Sequence, residues 1–129
     1  MYLDGSVRGS PGQAGVEGVL RDSSGKILYA FSEFVGLQDI ISAELLAIVR
    51  AVSLCVSRPE LESKKIVVVS DCKQAVNWVN SCGVGDWKYV QLIMEIRNLL
   101  GSWGQVSVEF NSRDTNSFAD VWQEMELVE

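Results

Sequence analysis

The hydrophobic pattern of this chain changes period along its length, and those changes limit the architectures open to it. From Ala14 to Leu20 small and apolar residues recur with glycine. Asp22-Ser23-Ser24-Gly25 then reads as a turn, and Lys26 to Phe34 carries Ile27, Tyr29 and Phe31 in alternation. A period of two on either side of a turn predicts a β-hairpin. From Ser42 to about Val56 the period lengthens: Leu45, Val49, Val52 and Val56 fall three or four apart and Pro59 closes the segment, which predicts a helix. Ile66-Val67-Val68-Val69 is an unbroken β-branched run, as expected of a strand buried on both faces. Lys73 to Cys82 reads as a helix ended by Gly83 and Gly85, and Tyr89, Leu92, Ile93, Ile96, Leu99 and Leu100 form a helical stripe. Val106, Val108 and Phe110 alternate like a strand, and Phe118, Val121, Trp122 and Met125 suggest a last helix. With a short strand at Tyr2–Asp4, ahead of the turn-rich stretch Gly9–Gly15, the order is β-β-β-α-β-α-α-β-α. A meander followed by crossovers implies an α/β fold with a mixed sheet covered by helices.

Composition narrows the chemistry. A chain of 129 residues is expected to form one domain, residues 1–129, and to bury roughly two-thirds of its unfolded surface. Cys55, Cys72 and Cys82 are odd in number and contain no CxxC pair, so they read as reduced thiols of an intracellular protein in the cytoplasm or nucleus. No apolar run approaches the ~20 residues that span a bilayer. Asp4 interrupts Met1-Tyr2-Leu3, so no signal sequence is expected. There is no histidine, which excludes Ser-His-Asp and Cys-His triads and every histidine-ligated metal. The net charge of −6 disfavours non-specific attraction to a polyanion but suits an acidic metal site.

The carboxylates are therefore the candidates. Asp4 and Asp71 each lie just beyond a short apolar strand, and in open α/β sheets ligands favour the crevice outside the carboxyl ends of strands. If those strands are parallel neighbours, both carboxylates point into one crevice. The structural alternative is that Asp71 caps the helix from Lys73 and that Asp4 starts a turn with Gly5. Glu44 shares a helical line with Ile48, Ala51 and Cys55 that is otherwise apolar. A carboxylate there costs several kcal/mol unless it is paired, protonated or bound to a cation. Its alternative is a place in the first turn, complementing the helix dipole. By pattern alone Asp120, at the start of the last predicted helix, reads as a surface residue. Crowded carboxylates raise one another's pKa unless cations neutralise them, and two divalent ions about 4 Å apart can drive phosphodiester hydrolysis.

These residues also carry a resemblance. Asp4-Gly5-Ser6, Ala14-Gly15, Gly18-Val19-Leu20-Arg21-Asp22 and Gly25-Lys26-Ile27-Leu28 resemble the opening of plant ribonuclease H-like domains, which are often associated with retroelement reverse transcriptases. Ser42-Ala43-Glu44-Leu45 followed by Ala47 is similar to that family's glutamate helix, and Val69-Ser70-Asp71 to its third carboxylate. Arg113-Asp114-Thr115-Asn116-Ser117-Phe118-Ala119-Asp120 resembles its terminal R-E-x-N-x-x-A-D pattern, with aspartate for the usual glutamate. The resemblance spans nearly the whole chain, with its motifs in order. It implies a five-stranded mixed sheet, a three-strand antiparallel meander plus two parallel strands, flanked by helices. It also implies that Asp4, Glu44, Asp71 and Asp120 bind two Mg²⁺ or Mn²⁺ ions and cut the RNA strand of an RNA–DNA hybrid, told apart by its 2′-hydroxyls and minor-groove shape. Gly5, Ser6, Gly12 and Asn116 would face the substrate, although the glycines are equally explained as turn formers.

Departures from the family pattern leave an alternative open. The family usually has a histidine three residues before the arginine, where this chain has Phe110. The Lys-, Arg- and Trp-rich insertion that grips hybrids in some ribonucleases H is missing, with Trp78, Trp87, Lys73 and Lys88 in its place. The tryptophans are read as core residues by default. These features suit an enzyme tethered to a reverse transcriptase or another domain. They also suit a catalytically impaired ribonuclease H-like module that binds nucleic acid or protein, or an exonuclease or transposase-like relative. Oligomeric state is not legible in the sequence.

Overall fold

A computed structural model describes residues 7–9, 12–62, 64–81, 87–102, 105–111 and 122–128. The strands are β1 (Val7–Gly9), β2 (Gly12–Arg21), β3 (Ile27–Gln38), β4 (Lys65–Ser70), β5 (Val106–Phe110) and β6 (Trp122–Val128). The helices are α1 (Ile40–Val56), α2 (Lys73–Asn80) and α3 (Val90–Ser102), with short 3₁₀ turns at Pro59–Leu61 and Trp87–Tyr89.

The β2–β3 hairpin forms where the alternation places it. Asp22 Oδ1 accepts from the amides of Ser24 and Lys26, each at 2.9 Å, and from the Ser24 hydroxyl at 2.6 Å. Those bonds, the Ser24 hydroxyl foremost, hold the Asp22 carboxyl below its usual range. Gly25 takes φ 90°, which only glycine adopts without strain. A second positive φ, at Gly36, sits where the β2–β3 register slips between Ala14 and Gly15, as in a β-bulge.

All described strands share one six-stranded sheet. β4 and β5 are parallel, as expected, and β1–β2–β3 is an antiparallel meander. Its first strand is Val7–Gly9, however, and the sheet has six strands instead of the five expected. The strand read at Tyr2–Asp4 lies outside the described residues. The difference is β6. Trp122 and Met125, read as part of a last helix, lie instead in a strand over Trp122–Val128, inserted between β2 (parallel) and β4 (antiparallel), while Phe118 and Val121 lie outside the described residues. A central slot with unpaired backbone on both flanks outweighs a helical spacing of a few residues, because strand edges must find partners. The partners of β4 are β5 and β6, and Tyr2–Asp4, on which the shared-crevice argument depends, lie outside the described residues.

The core lies between the sheet and α1. Leu20, Leu45, Ile48, Ile66, Ile93, Ile96 and Met125 are fully buried, and the Cys55 thiol meets Met125 Sδ at 3.0 Å. Burial pushes the Cys55 thiol up to about 12. In β4 the face of Ile66, Val68 and Ser70 is buried while Val67 and Val69 are half-buried, so the strand is less enclosed than its composition suggested. Ile48→Val deletes one methyl(ene) at a fully buried site and is expected to cost about 0.5–1.5 kcal/mol, read from urea unfolding. A neutral result would mean that this part of the core repacks freely.

Candidate active site

Helix α1 begins two residues earlier than Ser42 suggested. Asp39 is its N-cap, with Oδ1 accepting from the Ser42 amide at 2.7 Å. Glu44 therefore lies beyond the first turn, which contains no acidic residue, and the helix-dipole explanation for it falls. Its helical line is as buried as the spacing implied: Ile48, Ala51 and Cys55 are at 0% exposure and Glu44 at 8%. Only Glu44 and Ser70 are buried polar residues among those described. Arg50, on the same helix, is engaged elsewhere, in an ion pair with Glu33 of β3.

Asp71 leaves the sheet just beyond Ser70. The capping alternative fails here too: Cys72, not Asp71, is the N-cap of α2. The turn is held by Ser70, whose hydroxyl accepts from the Cys72 amide at 3.2 Å and whose carbonyl accepts from the Asn111 amide at 3.0 Å. The Cys72 thiol follows Asp71 at the start of α2. Burial pushes it up to about 11, and the nearby carboxylates of Glu44 and Asp71 both add to the rise, against amide hydrogen bonds from Ala75 and Gln74. Both acids thus act on one thiol at the carboxyl end of β4. Oxygen donors of this kind fit Mg²⁺ or Mn²⁺.

The described elements bring more of the chain to this end. β3 runs along the whole of one edge of β2, so β1 and β6 share the other, at Gly12–Ala14 and Glu17–Arg21 respectively. β6 is antiparallel to β4 with Glu124 opposite Val69, so Trp122 enters where Asp71 departs. Val7 opens β1 opposite Ala14, toward the same end. Asp4, Gly5, Ser6, Asn116 and Asp120 lie outside the described residues, and Gly12 opens β2. Among the described residues no group of three acidic or thiol side chains forms a metal cluster. Phe110 ends β5 opposite Ser70 and is 41% exposed.

One cluster had no place in the sequence reading. Asp39 Oδ2 accepts from the Tyr89 hydroxyl at 3.1 Å and pairs with Lys88 Nζ at 2.8 Å. Burial raises the Asp39 carboxyl, but the bonds from Lys88, Ser42 and Tyr89 outweigh it and hold it at about 2. The sequence signal for it is an aspartate immediately before the apolar pair Ile40-Ile41, an N-cap pattern. Trp78 packs partly buried against the core, as read, and stacks on Tyr89 at 5.5 Å, whereas Trp87 is 85% exposed and departs from the core reading.

The reverse transcriptase-like family matches residues 2–125. Among solved structures, RNase H1 from the halophilic archaeon Halobacterium salinarum NRC-1 is 23% identical with a TM-score of 0.74, covering 91% of this chain and 87% of that one. LC11-RNase H1 in complex with an RNA/DNA hybrid is 23% identical with a TM-score of 0.75, covering 89% and 86%. The N-terminal RNase H domain of a Mycobacterium tuberculosis protein, solved as a maltose-binding-protein fusion, is 20% identical with a TM-score of 0.72, covering 92% and 89%. No curated protein is significantly similar to this chain.

Proposed function

The chain belongs to the reverse transcriptase-like family and is a ribonuclease H-like domain, and from that premise we propose that it is a metal-dependent endonuclease acting on the RNA strand of RNA–DNA hybrids. The observation that carries this reading is the placement of Glu44 and Asp71. One carboxylate is buried on an apolar helical line, and the other leaves the sheet at the carboxyl end of β4, where Cys72 and not Asp71 is the N-cap of the next helix. Asp4 and Asp120 complete the proposed set. The described residues that follow them, Val7 and Trp122, open strands at this end of the sheet. Two divalent ions, Mg²⁺ or Mn²⁺, would supply Lewis acidity to an attacking water and offset charge on the leaving oxygen.

The protein's own part is to hold oxygen donors in place and exclude competing ones. Ser70 fixes the exit of Asp71 from the sheet, while the apolar line of α1 restricts Glu44 to one direction of approach. Burial, with both acids adding to it, pushes the Cys72 thiol up to about 11 in the metal-free protein. The resemblance to a fold solved on an RNA/DNA hybrid supports the choice of substrate, with Gly5, Ser6, Gly12 and Asn116 proposed to face it. A net charge of −6 favours delivery to the hybrid by a tethered domain, such as a reverse transcriptase.

The test is an end-labelled RNA–DNA hybrid incubated with the protein and Mg²⁺, then Mn²⁺. Cuts inside the RNA strand that require metal are expected. If folded protein makes none in either metal, the chain is an impaired module that keeps the fold for binding nucleic acid or protein, a reading that Phe110 favours. Trimming from the ends only would point to an exonuclease-like relative.

A further inference from the structure

We propose that Asp39, Lys88, Tyr89 and Trp78 form a latch that sets the position of Glu44 relative to Asp71, and so tunes the metal affinity of the site; this rests on the nuclease reading above. Asp39 uses its two oxygens for different tasks. Oδ1 caps α1 through the Ser42 amide, while Oδ2 receives Tyr89 and Lys88 from the segment that leads into α3. Glu44 lies five residues on, roughly 7 Å along the helix axis, so sliding or rotation of α1 at its start is passed on to that carboxylate.

The other end of the latch holds the helix that follows Asp71. The Tyr89 ring, nearly buried, stacks on Trp78 of α2 with an interplanar angle of 28°. Arg97 of α3 donates to the carbonyls of Trp78 and Val79, and Asn80 donates to the Val108 carbonyl of β5 at 2.8 Å. Helix α2 is thus fixed against α3 and β5, and it starts at Lys73, directly after Asp71 and Cys72. The path from Asp39 to Asp71 consists of directional hydrogen bonds and one ring stack, which hold spacing where plain apolar contact allows sliding. A latch of this kind acts through the carboxylates it positions, and neither Asp39 nor Lys88 is proposed to touch metal or substrate.

The experiment compares wild type, Lys88→Met, the double variant Lys88→Met/Tyr89→Phe, and Lys88→Arg. Each variant leaves the cap bond of Asp39 intact. Two quantities are read: the Mn²⁺ concentration at half-maximal cleavage of an RNA–DNA hybrid, and the melting temperature without metal. Lys88 is well exposed, so its single variants fold. The double variant is expected to need roughly fivefold to tenfold more Mn²⁺, in line with the loss of groups that orient metal ligands, and Lys88→Arg to restore the wild-type midpoint. A lower melting temperature with an unchanged Mn²⁺ midpoint would overturn the latch and leave these residues a structural role. A wild type that never cleaves would bring down the nuclease reading itself, and the latch with it.

Discussion

Asp71→Asn is expected to remove metal-dependent cleavage by at least about 10³-fold while leaving the metal-free protein as stable as wild type or more so. The rate loss follows from the several kcal/mol that a bound divalent ion contributes to stabilising developing charge. Stability is the more discriminating half. Were Asp71 the cap of α2, its replacement would cost about 0.5–2 kcal/mol. Cys72 holds the N-cap position, however, and the turn is tied by Ser70 and Asn111 rather than by the Asp71 carboxylate. In thermal melts the wild type should rise on adding Mg²⁺ or Mn²⁺ and Asp71→Asn should not. Destabilisation of the metal-free variant by more than about 1 kcal/mol would assign Asp71 a structural task instead.

Why Glu44 was visible in the sequence and Asp39 was not is a matter of contrast. A charged residue on a line with Ile48, Ala51 and Cys55 stands out, because few stable arrangements bury a carboxylate among apolar side chains. An aspartate at a helix start has an ordinary capping explanation, and that explanation is correct for Oδ1. The second task, through Oδ2, depends on Lys88 and Tyr89 about fifty positions away, and no local pattern encodes such a contact. The β2–β3 hairpin was legible because Asp22, Ser24 and Gly25 specify their turn by short-range hydrogen bonds and a positive φ. The segment Trp122–Val128 was not. Its apolar residues satisfy a helical spacing as well as an extended one, and the choice is made by the open slot between β2 and β4. Where a strand's identity is decided by distant partners, periodicity alone misleads.

Phe110→His is expected to raise the turnover of hybrid cleavage by about tenfold to hundredfold, the lower range of what a positioned acid or base contributes. Phe110 ends β5 directly opposite Ser70, the residue from which Asp71 leaves the sheet. Its 41% exposure leaves an imidazole room to be hydrated and to exchange protons with solvent, and limits the packing lost on substitution. The chain supplies an unusually clean background for the test, since it contains no histidine. The Cys72 thiol beside the acids titrates only near 11. A new limb in the pH dependence of kcat close to about 6.5 would then belong to residue 110 alone. If Phe110→His folds as well as its parent but shows neither faster turnover nor a new limb, the end of β5 does not face the reacting phosphate. The missing histidine would then not account for any slowness of the parent enzyme.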